Sequence, residues 1–201
     1  HEQKITSTAI YGRFTKASAL TCIVAIKDKG RVWIGGDSAG VAGLNVTIRA
    51  DEKVFENGDF IMGFCGSFRM GQLLRYAFNP PKRHADTDIY KYMVTDFVDA
   101  VRSCLKNGGV AEKHNDAEKG GFFLVGYEGR LFEIESDYQV GESIEAYSAI
   151  GCGGEYAYGA LAASEGQKPE ARIKIALAAA EKFSAGVRAP FHILNHERKA
   201  S

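Results

Sequence analysis

Residues 21–37, TCIVAIKDKGRVWIGGD, have the pattern of a β-hairpin. The apolar run 23–26 leads into Lys-Asp-Lys-Gly at 27–30, and a second apolar run follows at 32–34. Gly30 can adopt a positive φ, which a tight turn often requires. Antiparallel strands of equal length end side by side. We therefore expect the Thr21 hydroxyl and the Asp37 carboxylate to lie close together at one rim of a sheet.

The composition around this hairpin is that of an ordinary globular chain. The 201 residues are 45% hydrophobic and carry a formal net charge of zero. This length and apolar content predict one domain with a substantial core. Without a basic stripe, nucleic acid and anionic membrane are poor candidate partners. No apolar run reaches the roughly 18 residues of a membrane-spanning helix.

The four cysteines, at positions 22, 65, 104 and 152, lie in apolar or glycine-rich surroundings. None forms a Cys-x-x-Cys pair and no histidine stands at zinc spacing beside them, so a structural zinc site is not indicated. Buried, reduced thiols of a cytoplasmic protein are the favoured interpretation.

The first residue is His1, and residues 1–20 lack the apolar segment of a signal peptide. We interpret 1–20 as an N-terminal extension, either a propeptide or residues added for expression, in which residues 9–11 resemble a short strand. Residues 21–201 are predicted to form a single domain.

The remaining pattern alternates groups of strands with pairs of helices. Apolar residues at helical spacing predict helices over 70–77, 88–105, 156–163 and 168–183. Shorter apolar or alternating runs predict further strands over 45–55, 60–64, 122–127, 130–135, 143–150 and 190–194. Residues 38–44 are a predicted loop or bulge, and residues 110–120 are a predicted loop. We expect an α+β protein, a four-layer αββα sandwich of two antiparallel sheets flanked by helix pairs.

Thr21, Asp37 and Lys53 are separated by sixteen residues each. Taken singly they are a strand residue, a turn residue and a solvated strand end. Together, in Thr21, Gly36-Asp37-Ser38 and Lys53-Val54, they resemble the N-terminal half of proteasome β-type subunits and of their bacterial relative HslV.

Later segments extend this resemblance to residues 21–187. GFCGS at 63–67 is similar to the glycine-rich entry of that family's first helix. GCGGEYAYG at 151–159 is similar to its Gly-Ser-Gly-Ser/Gly-x-Tyr-Ala-x-Gly segment, and EKFSAG at 181–186 to its Asp-x-x-Ser-Gly-Gly segment. Five matches in the family's order identify the chain with this family far better than any one alone.

The resemblance implies an N-terminal-nucleophile (Ntn) hydrolase fold and a threonine peptidase. Thr21 is the expected nucleophile, with its own α-amino group as the base once the preceding peptide bond is cut. Lys53 is expected to lower the pKa of neighbouring groups, and Asp37 to hold Lys53 in place. The resemblance also assigns an oxyanion-binding N–H to Ser67, supporting positions to Cys152, Glu181 and Ser184, and a lining position in the substrate pocket to Cys65.

The same resemblance implies peptide or unfolded-protein substrates, a homo-oligomeric ring, and an ATP-dependent unfoldase as a further partner. It implies no metal and no organic cofactor. Three positions depart from the family: Leu20 stands where many precursors have glycine, Cys152 replaces a serine, and Glu181 replaces an aspartate. These departures keep open an alternative, a non-catalytic or uncleaved structural subunit on the same fold.

Overall fold

The computed structural model describes residues 20–110, 112–114 and 117–197. The predicted strand at 9–11 and the rest of the extension 1–19 lie outside these residues. Along the described chain the strands are β1 (Ile23–Asp28), β2 (Arg31–Gly36), β3 (Ala39–Ala42), β4 (Asn45–Ile48), β5 (Val54–Asn57), β6 (Phe60–Cys65), β7 (Glu112–His114), β8 (Ala117–Lys119), β9 (Phe122–Tyr127), β10 (Arg130–Ile134), β11 (Val140–Gly141), β12 (Tyr147–Ile150) and β13 (His192–Glu197). The helices are α1 (Phe68–Tyr76), α2 (Ile89–Tyr92), α3 (Val98–Asn107), α4 (Gly154–Ala163) and α5 (Pro169–Phe183), and the π-helical turn Met93–Phe97 joins α2 to α3.

The two main sheets are antiparallel throughout. One sheet has the strand order β12-β1-β2-β13 and the other the order β11-β10-β9-β6-β5. Two small hairpins, β3-β4 and β7-β8, stand apart from these sheets. The prediction of an α+β protein with antiparallel sheets and helices is therefore confirmed.

Three apolar clusters show how the elements are layered. One cluster packs residues of β6 and β9 against α1, α3 and the π-helical turn. A second lies between the two sheets and joins β1 and β2 to β6 and β9. The third packs β1 and β12 against α4 and α5. The order is therefore helices, sheet, sheet, helices, because each sheet buries one face against the other sheet and one against helices.

The predicted hairpin is present with the expected register. Ile23 pairs with Gly36 at the open end, and Asp28 pairs with Arg31 at the turn. The two turn residues, Lys29 and Gly30, have φ angles of 48° and 77°. A two-residue turn with both φ values positive matches the right-handed twist of the strands it joins.

Two stretches of the sequence prediction between residues 38 and 57 were wrong. The stretch 38–44, predicted as a loop, contains β3, and the predicted strand 45–55 is two separate strands. The first, β4, pairs with β3 and is exposed along its length, whereas the second, β5, belongs to a main sheet. Strand β3 is Ala-Gly-Val-Ala, and its small residues and glycine have the composition of a loop, so its sequence does not predict a strand.

Later boundaries were also corrected. The predicted loop 110–120 contains β7 and β8, and the strand predicted over 143–150 begins only at Tyr147. The short strand β11 was missed because two residues carry no period. The four predicted helices are present with boundaries shifted by a few residues. Within residues 20–110, 112–114 and 117–197, no helix combines the length and apolar character that crossing a membrane requires.

Candidate active site

A buried lysine connects the Thr21 hydroxyl to the Asp37 carboxylate. Lys53 Nζ lies 2.8 Å from Thr21 Oγ1 and 2.8 Å from Asp37 Oδ1. All three residues are at most 2% exposed. The structure therefore brings together the three residues that the sixteen-residue spacing singled out, in one chain of hydrogen bonds.

The Asp37 carboxylate is held by backbone amides as well as by Lys53. The Cys22 N–H donates to Oδ1 at 3.0 Å, while Ala39 N–H and Arg188 N–H donate to Oδ2 at 2.9 and 3.2 Å. Four donors thus surround one carboxylate, and hydrogen bonds to a charged group are stronger than those between neutral groups. They also fix its orientation, and therefore the position of the lysine ammonium.

Strand ends place these groups. Thr21 stands before β1 and Asp37 directly after β2, so the hairpin brings them to the same edge. Lys53 comes directly before β5, and its carbonyl accepts from the Phe64 N–H of β6. At Gly36 a Cβ atom would lie 3.1 Å from the Val54 side chain of the second sheet, so the missing side chain lets the sheets approach here. The lysine therefore reaches the rim from the second sheet.

Burial and the charge of Asp37 shift the pKa of Lys53 in opposite directions. Desolvation lowers the pKa of its ammonium below 10.5, and the Asp37 carboxylate opposes that shift. Lowering the pKa makes the neutral amine more accessible than it is for a surface lysine. The neighbouring thiol of Cys22 behaves differently. Burial, and then the negative charge of Asp37, raise its pKa and keep it protonated.

In the intact chain the Thr21 hydroxyl faces the preceding peptide. Its Oγ1 donates to the Leu20 carbonyl at 2.5 Å while accepting from Lys53. The Thr21 nitrogen is an amide in this form, because it is bonded to Leu20. The hydroxyl thus stands beside the bond whose cleavage would release an α-amino group.

Cys152 and Ser184 lie on the other side of Thr21. Cys152 Sγ is 3.6 Å from the Thr21 carbonyl oxygen and 3.0 Å from Ser184 Oγ. These two predicted site residues therefore contact each other, and the thiol reaches the threonine backbone rather than its hydroxyl. Gly153 N–H donates to the same carbonyl at 3.3 Å. The glycine-rich entry to α4 thus fixes the backbone of Thr21.

Glu181 and Ser67 have other contacts. Glu181 Oε1 accepts from the Ala189 N–H at 2.8 Å, so this carboxylate holds the loop after α5 and makes no hydrogen bond to Thr21, Asp37 or Lys53. The Ser67 hydroxyl caps α1 by accepting from the Met70 N–H. The Ser67 amide remains a predicted oxyanion donor at the start of that helix.

A cavity of about 580 Å³ lies next to Thr21, because Leu20, the residue before it, lines this cavity. Cys65 and Leu20 line it together with Phe68, and its charged lining residues are Arg69 and Lys119. Cys65 thus lines a cavity, and its role in a substrate pocket stays a prediction. Within the part of the chain that the structure describes, no three His, Cys, Asp or Glu side chains are grouped so that they could hold a metal ion.

Sequence reasoning missed Arg188. Its amide donates to Asp37, its carbonyl accepts from the Ser38 N–H, and its guanidinium donates to the Ser184 and Val187 carbonyls. No local pattern identifies it, because it lies 151 residues from Asp37 and acts mainly through its backbone. Cys104 and Cys152 are partly exposed, so the expectation of buried thiols holds only for Cys22 and Cys65.

Comparison with known proteins shows the fold. No protein-family model matches the chain, and no curated protein matches it. Solved structures do match. BPH from Thiobacillus denitrificans, in complex with epoxomicin, has a TM-score of 0.73 and 21% identity over 90% of this chain and 100% of that one. HslV from Trypanosoma brucei has a TM-score of 0.65 and 19% identity over 88% and 99%, respectively.

Anbu, described as an ancestral β-subunit, from Yersinia bercovieri has a TM-score of 0.60 and 14% identity over 88% of this chain and 82% of that one. The chain thus has the fold of the Ntn hydrolases. This fold is shared by BPH, HslV and Anbu, so the predicted structural resemblance to HslV-like proteins is confirmed.

Proposed function

We propose that this chain is a threonine peptidase of the proteasome/HslV class, in which Thr21 becomes the N-terminal nucleophile after residues 1–20 are removed. One observation carries the proposal. Lys53 Nζ contacts both Thr21 Oγ1 and Asp37 Oδ1 at 2.8 Å in a buried site. A plain hairpin needs no buried ammonium at its open end, and burying one costs free energy unless it is paired.

The reaction follows from these positions. Once the bond to Leu20 is cut, the neutral α-amino group of Thr21 takes the proton from Oγ1, and the oxygen attacks a substrate carbonyl carbon. The new C–O bond forms, and the peptide C–N bond breaks as the leaving amine takes that proton. Water then hydrolyses the resulting ester and restores the hydroxyl. The Lys53 ammonium stabilises negative charge developing on Oγ1.

Other residues would support this reaction. The Ser67 N–H is the proposed donor to the developing oxyanion, and the cavity lined by Cys65 would receive the substrate side chain next to the cleaved bond. Cys152 would hold the Thr21 backbone through its carbonyl, and Ser184 would hold Cys152. Glu181 acts at a greater distance, through the loop that carries Arg188.

Assembly and partners follow from the resemblance. We propose a homo-oligomeric ring that encloses the sites and admits peptides or unfolded chains, with an ATP-dependent unfoldase as a further partner. A separate domain, 21–201, and a removable extension, 1–20, are part of the same proposal.

The test compares two forms of the chain. A chain that begins at Thr21 is expected to hydrolyse fluorogenic peptides and to be labelled covalently by epoxomicin, the compound in the matched BPH structure. The intact chain is expected to do neither until it is cut. The matched control is the same shortened chain with Thr21→Ala, checked for folding by circular dichroism. A folded shortened chain without turnover or label would refute the peptidase proposal.

A second candidate function is a non-catalytic subunit on the same fold. It is favoured by the intact peptide bond between Leu20 and Thr21. The Leu20 carbonyl accepts a hydrogen bond from the Thr21 hydroxyl, whose proton a base must remove in catalysis. Intact-mass measurement of natively expressed protein separates the two. A native chain starting at Thr21 supports the peptidase, and a chain that keeps Leu20 after long incubation supports the structural role.

A further inference from the structure

A buried arginine far from Thr21 has an unused hydrogen-bond donor. Arg172 is only 8% exposed, and its Nε is a buried polar atom without a hydrogen-bond partner. Its Nη2 donates to the Leu161 carbonyl at 2.7 Å, and its guanidinium lies 5.2 Å from the centre of the Tyr147 ring. These contacts account for one edge and one face of the guanidinium and leave Nε–H unsatisfied, which is costly in a buried group.

Arg172 borders a cavity of about 360 Å³ beside the β1–β2 turn. The charged residues that line it are four cations, Lys27, Lys29, Lys168 and Arg172, and one carboxylate, Asp28. Lys27 Nζ also donates to the Ser143 carbonyl. Lys29 and Lys168 are exposed, so their side chains can turn towards a ligand.

The N-terminus of α5 opens at the same cavity. Lys168 and Pro169, which begin that helix, are among the lining residues, and no side chain caps this end. The first amides of a helix have no partner within it, and the helix dipole adds partial positive charge there. A 15-residue helix that starts uncapped beside a buried arginine therefore presents two independent sets of donors in one place.

Asp28 is one carboxylate against four cations in the lining of this cavity, and three further carboxylates lie near it. Glu170, in the first turn, is paired with Lys174 at 2.6 Å. Glu145 and Glu165 act on Tyr147, whose pKa is raised mainly by burial, while Arg172 lowers it. None of these carboxylates forms a hydrogen bond with Arg172 Nε.

We propose that this cavity binds an oxyanion of the phosphate class. The ligand would accept from the Arg172 guanidinium and from the amides of Glu170 and Ala171 in the first turn of α5, with Lys29 and Lys168 closing over it. Several donors converging on one multivalent anion are the usual basis of phosphate recognition. The site lies at the turn end of the hairpin, opposite the end that carries Thr21, and does not depend on the proposed peptidase activity.

The experiment titrates the full chain with inorganic pyrophosphate by isothermal calorimetry, at ionic strength held constant with sodium chloride. Saturable binding is expected. The double variant Lys29→Gln/Lys168→Gln alters two exposed side chains and is expected to bind about tenfold more weakly. The matched control, Lys182→Gln at the other end of α5, should bind like the unaltered chain. Amide NMR signals of Glu170 and Ala171 should shift on binding.

Arg172→Met is the direct test of the buried donor and should abolish binding, provided circular dichroism shows that the variant folds. If Arg172→Met does not fold, the double variant Lys29→Gln/Lys168→Gln still tests the proposal. Equal affinities for ADP and pyrophosphate would support recognition of the phosphates themselves. Absence of saturable pyrophosphate binding, binding of ADP alone, or affinity unchanged in the double variant would each overturn the proposal.

Discussion

Strand β2 has an ion pair at each end, and the two pairs have similar nitrogen–oxygen distances but very different exposure to water. Arg31, which begins the strand, lies 2.7 Å from Glu197, and their side chains are 44% and 64% exposed. Asp37, which follows the strand, lies 2.8 Å from Lys53, and their side chains are 0% and 1% exposed. The distances are equivalent, so distance alone cannot explain what each pair does.

The difference is the surrounding medium. Water screens the exposed pair, and holding two long side chains together costs conformational entropy. The buried pair interacts strongly, but both charges have lost their hydration, so the pair is stable only while every charge remains compensated. Asp37 meets this condition with three backbone amides in addition to Lys53. Substitutions at the buried end of β2 should therefore cost much stability, and substitutions at its exposed end should cost little.

The largest expected effect comes from breaking the buried pair. Lys53→Met should lower the free energy of unfolding by about 3–5 kcal/mol, because the Asp37 carboxylate is left buried without its cation. In a chain that begins at Thr21, the same variant should lose peptidase activity. Urea denaturation followed by circular dichroism measures the stability change.

A double variant controls for this interpretation. Adding Asp37→Asn removes the orphan charge and keeps an oxygen acceptor for the Ala39 and Arg188 amides, so the double variant should be more stable than Lys53→Met alone. A loss of less than about 1 kcal/mol for Lys53→Met would mean that water reaches the carboxylate, and the contrast between the two ends of β2 would fail.

The second prediction concerns close packing at the buried end. Gly36→Ala would place a Cβ 2.8 Å from Ile23 Cδ1 and 3.1 Å from Val54 Cγ1, so these two buried side chains must move to make room. Overpacking of this kind costs about 1–3 kcal/mol, and it should also move Lys53 relative to Thr21. Thermal unfolding and peptide turnover report the two effects.

Gly159→Ala in α4 is the matched control, since no atom lies within 4 Å of its added Cβ. It should raise stability by up to about 1 kcal/mol, because alanine favours a helix over glycine. If Gly36→Ala were equally harmless, the sheets would not be closely packed around the lysine.

The buried end could be predicted from sequence because its signals are local or regularly spaced. The alternating runs around the 27–30 turn fix the hairpin, and the hairpin alone places Thr21 beside Asp37. The position of Lys53 came from its spacing and the family resemblance, since nothing in its own neighbourhood distinguishes it from a solvated lysine.

The parts that could not be predicted depend on tertiary contacts. Strand β3 was not predicted because its residues, Ala-Gly-Val-Ala, have the composition of a loop, and only its pairing with β4 makes it a strand. The role of Arg188 was not predicted because it supports Asp37 with a backbone amide, which any residue type except proline could supply. The contact of Glu181 with the Ala189 amide depends on how the loop after α5 folds back.

The third prediction uses pH to probe the buried pair. The pKa of Lys53 is lower in the fold than its ordinary value of 10.5, with burial as the main cause. Between those two pKa values the unfolded chain binds more protons, so this lysine makes stability rise with pH there, and the contribution is lost as pH falls through the folded value. The stability difference between the unaltered chain and Lys53→Met should therefore increase with pH on approaching 10.5.

Urea titrations from neutral pH to pH 10.5 give this difference directly. Lys91→Met, which removes an exposed amine, controls for the general effect of one fewer charge. A difference that falls with pH in this window would show that Asp37 outweighs desolvation, and the direction assigned to the Lys53 pKa would be wrong.

The smallest effect is expected at the exposed end. Arg31→Met should change the free energy of unfolding by less than about 1 kcal/mol, because the Arg31–Glu197 pair is screened by water on both sides. The small loss should shrink further as salt is added, whereas the loss in Lys53→Met should persist, since a buried charge is shielded from the electrolyte. Parallel urea titrations at low and high sodium chloride measure both. An Arg31→Met loss as large as that of Lys53→Met would mean that burial does not set the strength of an ion pair in this sheet.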